Sequence, residues 1–141
     1  MAQLCKRCLG IDFGIKRVGL AISPADSSMV FPLKTINRTT RQKLFQELLE
    51  VIVQQKIDAI VIGLPVLPDE QDSETLRQVR NFRESLVRRV DLPVFMVNEA
   101  FTSAEARAIL QKMNMPAEKI RQCLDQAAAM LILESFRADS D

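Results

Sequence analysis

Cys8-Leu9-Gly10-Ile11-Asp12-Phe13-Gly14-Ile15-Lys16-Arg17-Val18-Gly19-Leu20-Ala21-Ile22 decides the fold. Two apolar runs of strand length, Cys8 to Ile11 and Val18 to Ile22, stand on either side of the turn material Gly14 to Arg17, which is the pattern of an antiparallel β-hairpin. After a loop around Pro24 to Ser28 the segment Val30 to Asn37 is again extended, and its Pro32 suits an edge strand or a strand start. The sheet therefore opens as a three-strand meander.

Downstream the apolar period changes. Thr39 or Thr40 can cap a helix whose stripe is Leu44, Phe45, Leu48, Leu49, Ile52 and Val53, ending near Lys56. Ala59 to Pro65 is a continuous apolar run of the kind buried on both faces of a parallel sheet, and is expected to be its central strand. A polar loop with Pro68, Asp69, Asp72 and Ser73 leads to a second helix with Leu76, Val79, Phe82, Leu86 and Val87 inward. Pro93 starts a fifth strand, Val94 to Val97. Thr102 or Ser103 caps a helix to about Met113, Asn114 and Pro116 break it, and about Ala117 to Arg137 forms the last helix. Ala127-Ala128-Ala129 in that helix permits close approach to a sheet. The order β-β-β-α-β-α-β-α-α predicts an α/β fold: one five-stranded mixed sheet, an antiparallel meander plus two parallel strands, with helices on both faces.

The 141 residues fit one domain spanning 1–141, and 48% hydrophobic with 26% charged residues is the composition of a soluble globular protein. Lys plus Arg number 19 against 18 Asp plus Glu, so no global field draws the chain onto nucleic acid and any such site must be local. Three cysteines with no secretory signal argue against a disulfide framework. Cys5-Lys6-Arg7-Cys8 is a solitary C-x-x-C that cannot complete a usual zinc site, and Cys8 and Cys123 read as core. No apolar run reaches membrane-spanning length, and a cytoplasmic location is expected. Histidine is absent, which removes Ser-His-Asp and Cys-His mechanisms and leaves carboxylates, Lys, Ser/Thr or Cys to do chemistry.

Asp12 closes an apolar strand, where a lone ionised carboxylate is costly; it either bonds the following turn or works in a site. Glu99 follows the fifth strand, whose C-terminal end lies beside that of the first, where ligand sites of open α/β sheets gather; its alternative is a solvated position. Asp125 lies in the last helix in line with Ala129 and Ile132, and either faces the sheet or pairs with Arg121. Converging at one sheet edge, three acids make a site for hard divalent cations, Mg2+ or Mn2+, which can support in-line hydrolysis of a phosphodiester. Lys16 and Arg17, beside Asp12 in the hairpin turn, can hold a phosphate backbone, and Thr102 is a third candidate nucleic-acid contact. The arginines of the second helix are balanced by acids in and around it and read as a solvated face. Gly10, Gly14 and Gly19 match neither the Walker nor the dinucleotide pattern.

These residues resemble the YqgF family, the Holliday-junction-resolvase-like members of the ribonuclease H-like superfamily. Gly10 to Ala21 looks like the first motif of that family, Ile60-Val61-Ile62-Gly63-Leu64-Pro65 like its second, Asn98 to Ser103 like its third and Asp125-Gln126-Ala127-Ala128-Ala129 like its last. The resemblance implies a ribonuclease H-like fold, an acidic triad of Asp12, Glu99 and Asp125, and a cytoplasmic metal-dependent nuclease linked to 5′-end maturation of 16S ribosomal RNA. Where the family usually has Asp-Glu-Arg in the third motif, this sequence has Asn98-Glu99-Ala100. Two other readings accompany it: a noncatalytic RNA-binding or ribosome-assembly module, and a Holliday-junction-type DNA resolvase. Expected partners are structured precursor rRNA or branched DNA and no membrane, with the chain a monomer or weak homodimer.

Overall fold

The computed structural model describes residues 6–25, 29–64, 74–98 and 103–140, the last stretch without the side chains of 103, 104, 106, 121, 122 and 138–140. Five strands, β1 (Cys8–Phe13), β2 (Arg17–Ser23), β3 (Phe31–Asn37), β4 (Ala59–Leu64) and β5 (Val94–Asn98), form one sheet in the order β3-β2-β1-β4-β5. β1 pairs antiparallel with β2 and β2 with β3, whereas β4 joins β1 and β5 joins β4 in parallel. The meander and the two parallel additions are as the sequence predicts. The central position belongs to β1, however, and not to β4. Both are buried on two faces, so the apolar run alone does not say which one the sheet is built around.

β3 is an edge strand, and Pro32 sits opposite Ala21 where the β2–β3 register shifts, a place where a missing backbone N–H is tolerated. The hairpin turn between β1 and β2 is closed by the Gly14 amide donating to the Arg17 carbonyl at 2.9 Å. Arg38 holds it from outside: its guanidinium donates to the carbonyls of Gly14 at 2.8 Å and Ile15 at 3.0 Å, and lies over the Phe13 ring at 4.4 Å.

Alternation along the strands sorts side chains into two layers. Leu9, Ile11, Phe13, Val18, Leu20, Ile60 and Ile62 pack with α1 (Arg41–Gln54) and α2 (Glu74–Val87). Thr40 caps α1, accepting from the Lys43 amide at 3.1 Å. The stripes differ in detail from the expected ones. In α1 Val51 is buried and Val53 is 75% exposed; in α2 Ser85 is buried and Val87 is 41% exposed. Ser85 can be inside because Arg41 donates to its hydroxyl and Arg89 to its carbonyl at 2.8 Å, partners no local pattern reveals.

The opposite layer holds α3 (Ser103–Gln111), α4 (Ala117–Gln122) and α5 (Leu124–Ser140). Cys8, Ala21, Ala59, Val61, Phe95 and Val97 of the sheet pack there with Leu110, Met130, Ile132 and Leu133. Both described cysteines are buried in this layer, and burial pushes the Cys8 thiol above its ordinary value. The single last helix expected from 117 to 137 is two, because Cys123 leaves helical geometry (φ −104°, ψ 8°) between α4 and α5. None of the described helices is long and apolar enough to cross a membrane.

α5 lies unusually close to the sheet. At Gly10 of β1 an added Cβ would stand 2.7 Å from the Ala129 carbonyl oxygen and 2.6 Å from Leu133 Cγ. At Gly19 of β2 it would overlap the Asp125 carbonyl oxygen, and at Gly63 of β4 the Ile132 side chain. These glycines leave the groove in which the helix sits. Backbone cannot yield as a side chain can, so Gly19→Ala is expected to destabilise the protein by about 2–4 kcal/mol and Gly63→Ala by less. Urea unfolding of the two variants checks the order; equal, small losses would mean that α5 is not seated on Gly19.

Candidate active site

Asp12 is the next-to-last residue of β1, one position past the Ile11–Ile62 pair with β4. It faces the α5 layer, because its cross-strand partner is Gly19, the residue against the Asp125 carbonyl. Asp125 belongs to the first turn of α5 rather than to mid-helix. There the helix's exposed N–H groups favour a negative charge. The same backbone approach that seats the helix thus brings a carboxylate from the last helix to one in the first strand.

Both acids are partly buried, and their environments differ. Burial in the first place, and the negative charge of Asp125 in the second, raise Asp12 from an ordinary 3.8 to about 6. Asp125 accepts a hydrogen bond from Arg17 Nε at 2.8 Å. Arg17 is therefore an arginine that the structure sets against Asp125; the side chain of Arg121 lies outside the described residues. The pair's side chains are 53% and 35% exposed, so it orients Asp125 more than it stabilises the fold. Gln126 Nε2 donates to Thr35 Oγ1 at 3.2 Å and ties the start of α5 to β3. Lys16 is exposed in the hairpin turn, its carbonyl bonded by the Arg38 amide at 2.9 Å.

Glu99 and Thr102 lie outside the described residues. Among the described residues no group of three or more His, Cys, Asp or Glu forms a metal cluster; the structure brings together Asp12 and Asp125. β5 runs parallel to β4 with Leu64 opposite Asn98, so it ends at the same sheet edge as β1. Val94 and Met96 pack toward α1 and α2, and alternation puts Asn98 on that side too, away from Asp12. Sequence reasoning named Arg17 as a phosphate contact but missed its bond to Asp125, and it missed Arg38, which fixes the hairpin turn from a distant segment.

Residues 6–138 match the family described as "RuvX: Holliday junction resolvase". The chain belongs to the RuvX family. A relative in Maridesulfovibrio salexigens named "Putative pre-16S rRNA nuclease" is 49% identical over 132 residues, covering 94% of this chain and 98% of that one. A Nitratidesulfovibrio vulgaris relative of the same name is 46% identical over 128 residues, covering 91% and 90%. Among solved structures, T. thermophilus RuvC in complex with a Holliday junction substrate superimposes with a TM-score of 0.61 at 16% identity, over 96% of each chain. That likeness is one of fold, the ribonuclease H-like arrangement of a mixed five-stranded sheet between helices.

In this RuvX-family chain the raised Asp12 has a measurable consequence. Between about pH 4 and 6 the folded protein keeps a proton on Asp12 that the unfolded chain has released, so stability falls as pH rises through that window and stays lower above it. Asp12→Asn removes the penalty. In EDTA the variant is expected to melt above the wild type at pH 7.5, by the equivalent of at most about 3 kcal/mol, and to match it near pH 4. Coincident melting curves at both pH values would contradict the charge-hostile environment assigned to Asp12.

Proposed function

We propose that the chain is a metal-dependent nuclease that hydrolyses phosphodiester bonds in the 5′-end maturation of precursor 16S ribosomal RNA. The observation that carries this reading is the pair Asp12 and Asp125, two carboxylates of distant sequence origin meeting at the C-terminal edge of β1. The names of the RuvX-family relatives supply the substrate class. A cytoplasmic location and a single catalytic domain go with it.

The donor set fits a hard divalent cation. Burial and mutual repulsion disfavour two negative charges here, and Mg2+ or Mn2+ takes carboxylate oxygens and offsets that repulsion. Asp12 and Asp125, with Glu99 as the third ligand, are the residues to hold it. Bound there, the ion supplies Lewis-acid activation of a water nucleophile and charge stabilisation at the leaving oxygen of the phosphodiester. The chain's own part is positioning. Arg38 fixes the turn that follows Asp12, and Arg17 orients Asp125. Lys16 and Arg17, exposed in that turn, and Thr102 contact the substrate's phosphates. The replacement of the family's Asp by Asn98 leaves the Asp12 side of the sheet unchanged, because position 98 faces the other layer.

The family description favours one second reading, cleavage of branched DNA. A single panel separates the two. With Mg2+ or Mn2+ the purified protein is expected to cut a 16S precursor transcript in preference to a four-way DNA junction, and EDTA to stop it. Asp12→Asn is expected to lower the rate at least about a thousandfold, since several kcal/mol of metal-supplied stabilisation is lost. Undiminished cutting by the variant overturns the metal mechanism, and junction-only cutting overturns the RNA substrate.

A further inference from the structure

On the sheet face opposite Asp12, three arginines meet without a carboxylate. Arg38 lies over Phe13 at 4.4 Å, and Arg41 and Arg89 lie over Phe45 at 5.8 and 4.3 Å. Phe82 stacks with both Phe13 and Phe45, at centroid distances of 4.4 and 5.6 Å. Among the described residues the ion pairs are Arg17–Asp125, Lys34–Glu47, Arg77–Glu74 and Arg83–Glu84, and none uses these three. Two neighbouring hollows run along the cluster, the first of about 230 Å³, sharing Arg41 and Phe45. Their other lining is threonine, glutamine, asparagine and apolar side chains, with no acid.

This is an unusual local excess in a chain whose net charge is +1. Two arginines of α2 behave differently: Arg77 and Arg83 are answered by Glu74 and Glu84. Stacking on phenyl faces and bonds to Ser85 and to the turn carbonyls hold the guanidinium groups in place while leaving N–H donors unspent, since each guanidinium has five. Fixed, uncompensated planar donors in an open groove suit phosphate oxygens. The groove begins at Phe13 and Arg38, the residues that flank and hold the turn after Asp12, so it continues from the candidate active site around the end of β1.

We propose that Arg38, Arg41 and Arg89 form a docking track for the sugar-phosphate backbone of the RNA strand outside the cleavage point. The inference rests on the nuclease reading for its ligand and extends it to a second surface. The track reads charge and not base identity, because the ring faces that could stack bases are occupied by arginine.

The test is binding of a labelled rRNA-precursor hairpin with a single-stranded extension to the wild-type protein in EDTA, over a range of salt. Arg41→Glu/Arg89→Glu is expected to weaken binding at least about tenfold at low salt and to flatten the log K against log salt slope by about 1.4, two single-strand contacts' worth. Arg41→Lys/Arg89→Lys is expected to retain most of the slope, and Arg77→Glu, outside the groove, to change neither quantity. Should the reversed pair melt early, Arg41→Gln/Arg89→Gln is read instead. Unchanged affinity and slope, an equal loss in Arg77→Glu, or a wild type that binds no RNA overturns the track. So does arginine-dependent retention on phosphatidylglycerol vesicles with RNA binding intact. Cleavage assayed in parallel separates the claims: arginine-dependent binding without metal-dependent cutting leaves the track and removes the nuclease, and the converse leaves the nuclease alone.

Discussion

The distance between α5 and the sheet is set by what three strands lack. Gly10, Gly19 and Gly63 present no side chain to the helix, which answers with Ala129 and the edges of Ile132 and Leu133. A helix packed over ordinary side chains stands about 10 Å from its neighbour. Here backbone meets backbone at Asp125 and Ala129. The dense contact orders the layer of α3, α4 and α5, and it fixes where the first turn of α5 lies relative to the end of β1. Asp12 and Asp125 are neighbours for that reason, and their chemistry inherits its accuracy from packing.

That arrangement holds a conflict. Burial and a second carboxylate both raise Asp12, and folding therefore stores electrostatic cost at one sheet edge. Such costs gather where function needs them. Arg17 answers Asp125 from the exposed side, and among the described residues no ion pair joins a cation to Asp12. On the proposed reading, a divalent cation would resolve the conflict with the charge type and donor chemistry that oxygen ligands favour. The opposite face carries the inverse imbalance, cations without acids, and the two surfaces meet at the hairpin turn that Arg38 braces.

Much of this is legible in the residues. Strand pairing follows from the alternation and turn chemistry of Cys8 to Asn37, and the capping role of Thr40 from its hydroxyl just ahead of an apolar stripe. Asp12 stands out because an ionisable group ends an apolar strand. What stays hidden depends on contacts between distant segments. The glycines of the first hairpin look like turn or phosphate glycines until α5 is seated on two of them. Residues 117–137 read as one helix because nothing in their propensities marks Cys123, so Asp125 looks mid-helix instead of N-terminal. Ser85 reads as surface until Arg41 and Arg89 reach it, and the partner of Asp125 lies 108 residues away.

The central claim is that folding assembles one cation site from the first strand and the last helix. Anomalous diffraction from crystals grown with Mn2+ tests it most directly. The account predicts a peak coordinated by carboxylate oxygens of both Asp12 and Asp125, lost in Asp12→Asn crystals. A manganese peak held elsewhere, with these two carboxylates uncoordinated, would contradict it.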